Sequence, residues 1–563
     1  MRNLRWQLLI AVGGLILVVG LLVGQTPDTD IAAPHPVPGG VHVEALIGKL
    51  ARLNPILDTY NQVDRDIDRL IYSGLISFNS RGEPMPDLAA EWAVSADATI
   101  YTFTLQEDAR WHDGEPVTSD DVIYTFSKMQ DEDYPGPEDF QTMWQQVNII
   151  RLDEYRVQFQ LPEPFAPFLD YLAVGLLPDH LLRGVSAGEL IDHPFNLRPI
   201  GTGPFAFDRF VVEDDEIVSV SLIAFEDYYD QVPYIERVEF RFFENSLDAL
   251  DAYLAGEIQG IGQIDPAIFT EVLDSPELNM HTSRLPRISL VFINSKNSEK
   301  TYLAEKKFRQ ALMLSINRQW IIDHALQGQG LIPCGPIMPA TWAHSESLES
   351  LSFEPDRAAR LLDDLEWELT IGATPGTPEY QRTKDDQILS LELIHSNDPT
   401  DEIVAEMLKT NWEAIGIRIE LKEVNKESLL QDYLEPRDFE LVLTEVDLSR
   451  SPDPDPYPFW HDSQTETGQN YGGITDRNIS IWLEQARVNP DFGRRAELYR
   501  NFQHRFQDLV PALLLYYHVY SYAIDAQVQG VTVGPLYDPS DRFRNIVDWY
   551  LLTRRSYSSQ DLP

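Results

Sequence analysis

Residues Arg110–Met129 read RWHDGEPVTSDDVIYTFSKM, and two kinds of local signal meet in them. The first half is a polar turn, from Trp111 through Pro116. Gly114 can adopt positive φ at little cost, while Pro116 fixes its own φ and drives Glu115 toward extended backbone. The second half is a helix start. Thr118 is a good N-cap, and Asp121 three residues later completes a capping box. Asp120 and Asp121 also lie at the positive end of the helix dipole. Val122, Ile123, Phe126 and Met129 then share one helical face. Upstream, Tyr101, Phe103 and Leu105 alternate with Thr102 and Thr104, the period of a strand with one buried face. The stretch predicts strand, tight turn and capped helix.

The same grammar recurs outward in both directions. Toward the amino end, Val41–Ile47 predicts a strand, followed by a helix containing Ile67, Leu70 and Ile71. Toward the carboxyl end, residues 155–161 and 238–243 alternate as strands, and a helix carrying Ala249, Leu250, Tyr253 and Leu254 stops at Gly256. Residues 256–264 predict a short glycine-rich strand. Ile288–Asn294 is a strongly apolar strand, and one helix is expected from Lys307 through Ile316, Asn317 and Arg318 to Ile322. Beyond it lie strands at 388–394, 417–421 and 439–443, with a helix over 401–415 closed by Gly416. A helix over 494–509, stopped by Pro511, leads into a strand at 512–517. Strand–helix–strand order with short connections implies right-handed crossovers and partly parallel pairing.

The run Trp111–Phe126 resembles the signature segment of the family 5 solute-binding proteins, the extracytoplasmic dipeptide-, oligopeptide- and nickel-binding components of ABC importers. Other matches follow in family order. They are Leu75, Gly82, Pro86, Leu88, Ala89 and Trp92; the tight Gly201-Thr202-Gly203-Pro204-Phe205 excursion; and Asn294, Phe308, Arg309, Gln310, Ala311, Leu312 and Arg318. The aspartate–proline loop over 451–460 and the Gly468–Gly472 turn complete the set. Asn317 stands where the family usually has Asp. The Gly201–Gly203 stretch lacks the GK[ST] ending and following helix of a phosphate loop.

The resemblance implies an α/β fold: a two-lobed, periplasmic-binding-protein-like clamp of type II, with mixed sheets flanked by helices. Two crossing strands would serve as a hinge, and a small ligand in the interlobe cleft would shift an open–closed equilibrium. A short peptide is the expected ligand, and permease subunits of an ABC transporter are the expected partners. No enzymatic activity and no cofactor are expected. Lobe 1 is placed at 41–290, with a subdomain at about 85–200; lobe 2 at 291–520; and a return to lobe 1 at 521–563.

Composition agrees with a multidomain globular chain. Its 563 residues exceed one simple core, and 43% hydrophobic residues are too many for disorder. A formal charge of −46 repels nucleic acid and anionic lipid. The single cysteine, Cys334, excludes an intrachain disulfide. At the amino terminus, Arg2 and Arg5 precede an uncharged run from Leu8 to Gly24, and residues 25–40 form a Pro- and Gly-rich linker. The run's length favours an uncleaved membrane anchor over a removed signal peptide. Either way the globular part is expected outside the cytoplasm.

A peptide in a dry cleft needs a carboxylate for its ammonium and a cation for its carboxylate. A buried charge left unpaired costs about 2–5 kcal/mol, and the ligand backbone can pair with a strand. The resemblance implies that the ammonium partner is an aspartate on the loop after residues 439–443. Asp447 is the first choice there and Asp453 the second, with Asp455 nearby. Glu445 and Val446 stand where relatives often carry glycine-tryptophan. Asn294 and Arg309 are expected near the hinge. Tyr457, Trp460 and Tyr471 could stack on sugars, so an oligosaccharide is the alternative ligand. A glycoside hydrolase would need two carboxyl groups about 5–10 Å apart, such as Asp453 and Asp455. His112, His281, His395 and His461 show no metal-ligand spacing.

Overall fold

The computed structural model describes residues 34–377, 379–449 and 451–555. The expected membrane segment at 1–24 lies outside them. Among the described residues no helix is long and apolar enough to cross a membrane.

One eleven-stranded mixed sheet runs through both lobes. Its second-lobe end has the order Arg418–Val424, Ser390–Ser396, Leu441–Asp447. Both of those pairings are parallel, as the strand–helix–strand order requires. Its first-lobe end has the order Gly260–Ile261, Val41–Ile47, Arg237–Phe243, Glu216–Ala224, Phe205–Glu213. Between them lie two long strands, Leu278–Ile293 and Ala512–Asp525, antiparallel to each other. They extend well beyond the apolar runs legible in the sequence and cross from lobe to lobe. Their register breaks between Arg284 and Ile288. Pro286 sits in that gap and has no N–H for the ladder.

The second-lobe strands are buried on both faces, which is why they read as near-continuous apolar runs. Val291, Ile293, Leu391, Leu393, Leu441 and Leu443 pack against the helices Lys306–Leu314 and Pro399–Glu413. Leu290, Phe292, Ile394 and Val442 face the other way, against Phe492–Leu509. The helix expected over 307–322 is two helices, Lys306–Leu314 and Arg318–Ala325. Asn317 breaks it: its side chain caps Trp320 N–H, and its own N–H is taken by Asn411 Oδ1 at 2.7 Å.

The first lobe carries a four-stranded antiparallel sheet, ordered Ala89–Val94, Ile100–Leu105, Arg156–Gln160, Asn148–Arg151. Phe103, Phe126, Trp144, Phe159 and Phe168 fill its core with tilted and edge-on rings. The capping box at Thr118 and Asp121 forms as expected and starts Ser119–Gln130. The turn before it has a long-range task. His112 Nδ1 accepts from Gly201 N–H at 3.1 Å, and Nε2 donates to Gly203 O at 3.0 Å. Burial lowers the His112 pKa to about 4, so the ring stays neutral and keeps both roles.

Chain end and chain start meet in one buried ion cluster. Arg542 donates to Glu44 Oε1 at 2.8 and 3.0 Å and to Asp66 Oδ2 at 2.8 Å. Tyr522, on a crossing strand, donates to Glu44 Oε2 at 3.0 Å. Burial alone would raise the Glu44 pKa, but Arg542 and His42 bring it below the usual value.

Gly201 is glycine because the Gln62–Ile71 helix ends against it. A Cβ there would lie 1.9 Å from the Ile71 carbonyl oxygen. Gly201→Ala is expected to cost about 1–3 kcal/mol, read as a lowered urea midpoint.

Candidate functional site

Where the lobes meet, the loop that follows Leu441–Asp447 touches the first-lobe 3-10 helix Ala166–Leu172. Asp170 on that helix accepts from Ser451 Oγ and from the Asp453 N–H, both at 2.8 Å. Asp453 turns its carboxylate away, into the second lobe. It pairs there with Arg495, both side chains being buried, and accepts from Tyr499 OH at 3.4 Å. Burial would lower the Arg495 pKa; the Asp453 charge reverses this and raises it. Asp455 is held by Arg487 at 2.9 Å, whose guanidinium lies 4.2 Å over Tyr457 and 5.2 Å over Phe165 of the first lobe. The seam is thus polar, built on one lobe's serine hydroxyl and backbone N–H and the other lobe's carboxylate.

Behind the seam lies a cavity of about 200 Å³. The first lobe supplies most of its wall, from residues 55–59, the Gln62–Ile71 helix, Phe78, Met129, Phe140 and residues 170–175. Tyr537, Asp538 and Asp541 close one side, and Pro452 is the second lobe's contribution to the rim. Arg65 reaches Asp538 at 3.0 Å, and Arg69 lies 3.7 Å from Asp541. Two polar groups there have no hydrogen-bond partner among the described residues: the Tyr537 hydroxyl and the Asp68 carboxylate. The space suits one side chain or end group, below the ~300–1,000 Å³ of ordinary ligand pockets. A longer guest therefore requires the seam to part.

None of the residues singled out from sequence lines the cavity; Asp453 lies on the seam loop, whereas Asn294 and Arg309, expected near the hinge, bond inside the second lobe, away from the crossing at Arg284–Ile288. Asp447 keeps an exposed carboxylate at its strand's end, with Oδ1 accepting from Ser449 N–H at 2.8 Å. Asp453 is committed to Arg495. Asn294 donates to the Arg437 and Phe439 carbonyls at 2.9 and 3.0 Å and braces the sheet. Arg309 is buried, with its donors on the carbonyls of Leu303, Ala304, Leu509 and Val510. Tyr457 stacks on His461 at 4.0 Å. Trp460 packs between Phe292 and Phe506. Tyr471 lies against Phe292 and under Arg437.

Asp68, Asp170, Arg495 and Tyr537 were not legible as a group. Asp68 alone carried a signal: it sits three residues before Ile71, at the edge of the buried helix face, where a carboxylate needs a reason. Among the described residues no three His, Cys, Asp or Glu side chains are placed to hold a metal ion.

Comparison with known proteins adds a second line of observation. The sequence profile of bacterial extracellular solute-binding proteins, family 5 (middle part), matches residues 83–469. The oligopeptide-binding protein AppA of Bacillus subtilis (strain 168) is 25% identical over 528 residues, covering 92% of this chain and 93% of AppA. The dipeptide-binding protein of Escherichia coli (strain K12) is 24% identical over 487 residues, covering 83% and 87%. The structure of HbpA2 from Haemophilus parasuis superposes with a TM-score of 0.77 at 21% identity, covering 89% of this chain and 99% of that one.

Burial, reinforced by the Asp453 charge, pushes the Asp170 pKa up to about 8. The unfolded chain has the ordinary value near 3.9. Between those limits the folded state holds more protons than the unfolded state, so this group's contribution falls as pH rises from about 4 to 8. Asp170→Asn keeps an acceptor for the Asp453 N–H and removes that titration. It is expected to raise the melting temperature at pH 7.5 by ~1 °C, equivalent to about 1 kcal/mol in a chain of 563 residues, and to gain less at pH 5. Scanning calorimetry at both pH values reads the difference.

Proposed function

The chain belongs to the bacterial extracellular solute-binding proteins of family 5, and from that premise we propose that it captures a short peptide between its lobes and hands it to an ABC importer. It is a binding protein and not an enzyme. The observation that carries the peptide reading is the match to an oligopeptide-binding protein along 92% of this chain and 93% of that one. The geometry supports it in two ways. The seam is made of groups that can part and re-form, Asp170 with Ser451 and Asp453. The cavity behind it offers apolar wall and unmatched polar groups together, the mixture a peptide presents.

Asp447, with its exposed carboxylate beside the seam, is the proposed partner for a ligand ammonium. An oligosaccharide would need open aromatic faces. Tyr457, Trp460 and Tyr471 instead already stack or pack on His461, Phe292, Phe506 and Arg437. Paired-carboxylate hydrolysis is disfavoured because Asp453 and Asp455 are each held by an arginine. The globular part works outside the cytoplasm, as its family's description states. We propose further that residues 1–24 tether it to the membrane, on the charge pattern of Arg2, Arg5 and the uncharged run to Gly24.

The test is to expose purified protein to a mixture of di- to hexapeptides, remove free ligand, and identify what is retained by mass spectrometry. Retention of intact peptides at one per chain is expected. Retention of a saccharide instead, or release of cleaved peptide, would overturn the reading.

A further inference from the structure

The Gln62–Ile71 helix carries three buried acids, and two are matched. Asp64 accepts the N–H groups of Ala51 and Arg52 at 2.8 and 3.1 Å. Asp66 accepts from Gln62 and from Arg542, both at 2.8 Å. Asp68, 3% exposed, lines the cavity, and among the described residues neither of its oxygens has a hydrogen-bond partner of good geometry, the Asn54 backbone N–H being near enough only to offset its burial slightly. The cavity's arginines are engaged elsewhere, Arg65 with Asp538 and Arg69 with Asp541. Among the described residues no cation stands within ion-pair distance of Asp68. A buried carboxylate is paired in almost every folded protein, because leaving it bare costs more than most single contacts return.

The walls around Asp68 are part apolar and part polar, the polar part including Arg65, Arg69 and Asp170. Ile56, Phe78, Met129 and Phe140 line the same space. A pocket that joins this apolar surface to an unmatched acid, with acids outnumbering arginines in its lining, is complementary to a side chain with a hydrocarbon stem and a cationic head. A ligand's terminal ammonium has no such stem.

We propose that the cavity is a specificity pocket for one basic side chain of the bound peptide, lysine or arginine, with Asp68 as the counter-charge to its head group. This rests on the peptide reading above and goes beyond it. In the empty pocket, burial and then the charges of Asp58 and Asp64 hold the Asp68 pKa well above the usual range, so the acid carries a proton. When a cationic head enters, that proton leaves to solvent and the carboxylate remains, so charge balances in the pocket. Binding of a basic peptide therefore releases a proton that binding of a neutral peptide does not.

The experiment compares tripeptides in which lysine is moved through the three positions of an alanine background with the same set carrying norleucine. Norleucine keeps the stem and lacks the charge. Isothermal titration at pH 7 in two buffers of different ionisation enthalpy reads affinity and proton release together. In the wild type the best lysine peptide is expected to bind about tenfold or more tightly than its norleucine partner, the scale of one charge-assisted hydrogen bond, and to release close to one proton. Asp68→Asn is expected to erase both the preference and the release while keeping the norleucine affinity. Norleucine binding as well as lysine in the wild type, or an unchanged preference in Asp68→Asn, would overturn the pocket and leave the peptide reading standing. If no tripeptide binds, the peptide reading falls, and cadaverine and arginine are titrated alone. Stabilisation by either that is lost in Asp68→Asn would support the pocket by itself; no stabilisation would overturn it too.

Discussion

The chain passes between its lobes twice, in Leu278–Ile293 and Ala512–Asp525, and those two passages hydrogen-bond to each other. This is the constraint on which the rest depends. Two lobes joined by one antiparallel pair can rotate about it with little else to break. The pair is least regular at the crossing, where Pro286 interrupts the register and a polar group collects. There Ser289 Oγ lies 2.9 Å from His518 Nε2, Arg287 Nη2 lies 3.3 Å from His518 Nδ1, and Glu445 stands 3.5 Å from the ring. Burial first, then Arg287, lowers the His518 pKa to about 3. The ring is neutral at working pH and can accept the arginine's N–H. Above and below this point the strands enter well-packed cores; at it, they are held by side chains that can exchange partners.

A chain with 90 acidic and 44 basic residues must manage its buried carboxylates one by one. Five are met by arginines, Glu44 and Asp66 by Arg542, Asp453 by Arg495, Asp455 by Arg487 and Asp538 by Arg65, and others, such as Asp64, by backbone N–H groups. Each pair fastens segments distant in sequence. Arg542 ties the segment around residue 542 to the Val41–Ile47 strand and the Gln62–Ile71 helix, and Arg495 braces the seam loop from behind. Truncating one partner of such a pair leaves an uncompensated charge, typically at a cost of about 3–5 kcal/mol. Two acids that no arginine meets line the cavity. Asp170 receives only neutral donors, from across the seam. Asp68 receives none of good geometry among the described residues. Both line the cavity, and burial raises the pKa of each, so acids held protonated collect where the lobes meet.

Much of the scaffold was legible from residue patterns alone. The capping box at Thr118 and the alternation of Tyr101, Phe103 and Leu105 formed as read, because each is decided by near neighbours. The apolar cores of the crossing strands were visible; their full length was not. Residues 278–287 and 518–525 include His281, Thr282, Ser283, Arg284 and Ser521, polar residues that join the ladder because their partner strand is already in place. The pattern predicts one helix through Asn317; Asn317 instead divides two and caps the second, and its backbone N–H is claimed by Asn411 from another helix. The site was less legible for the same reason. The resemblance offers Asp453 as a ligand-facing acid, but its electrostatics are set by Arg495, forty-two positions on. The aromatic residues of the proline-rich loop turn inward to Phe292 and Phe506, strands and helices away.

The most direct measurement is small-angle X-ray scattering of the full chain before and after loading with the peptides it retains. Rotation about the crossing pair predicts a smaller radius of gyration in the loaded protein, with unchanged molecular mass and with lobes of unchanged internal shape. An identical scattering curve from protein shown to hold a peptide would contradict closure of the lobes on a guest.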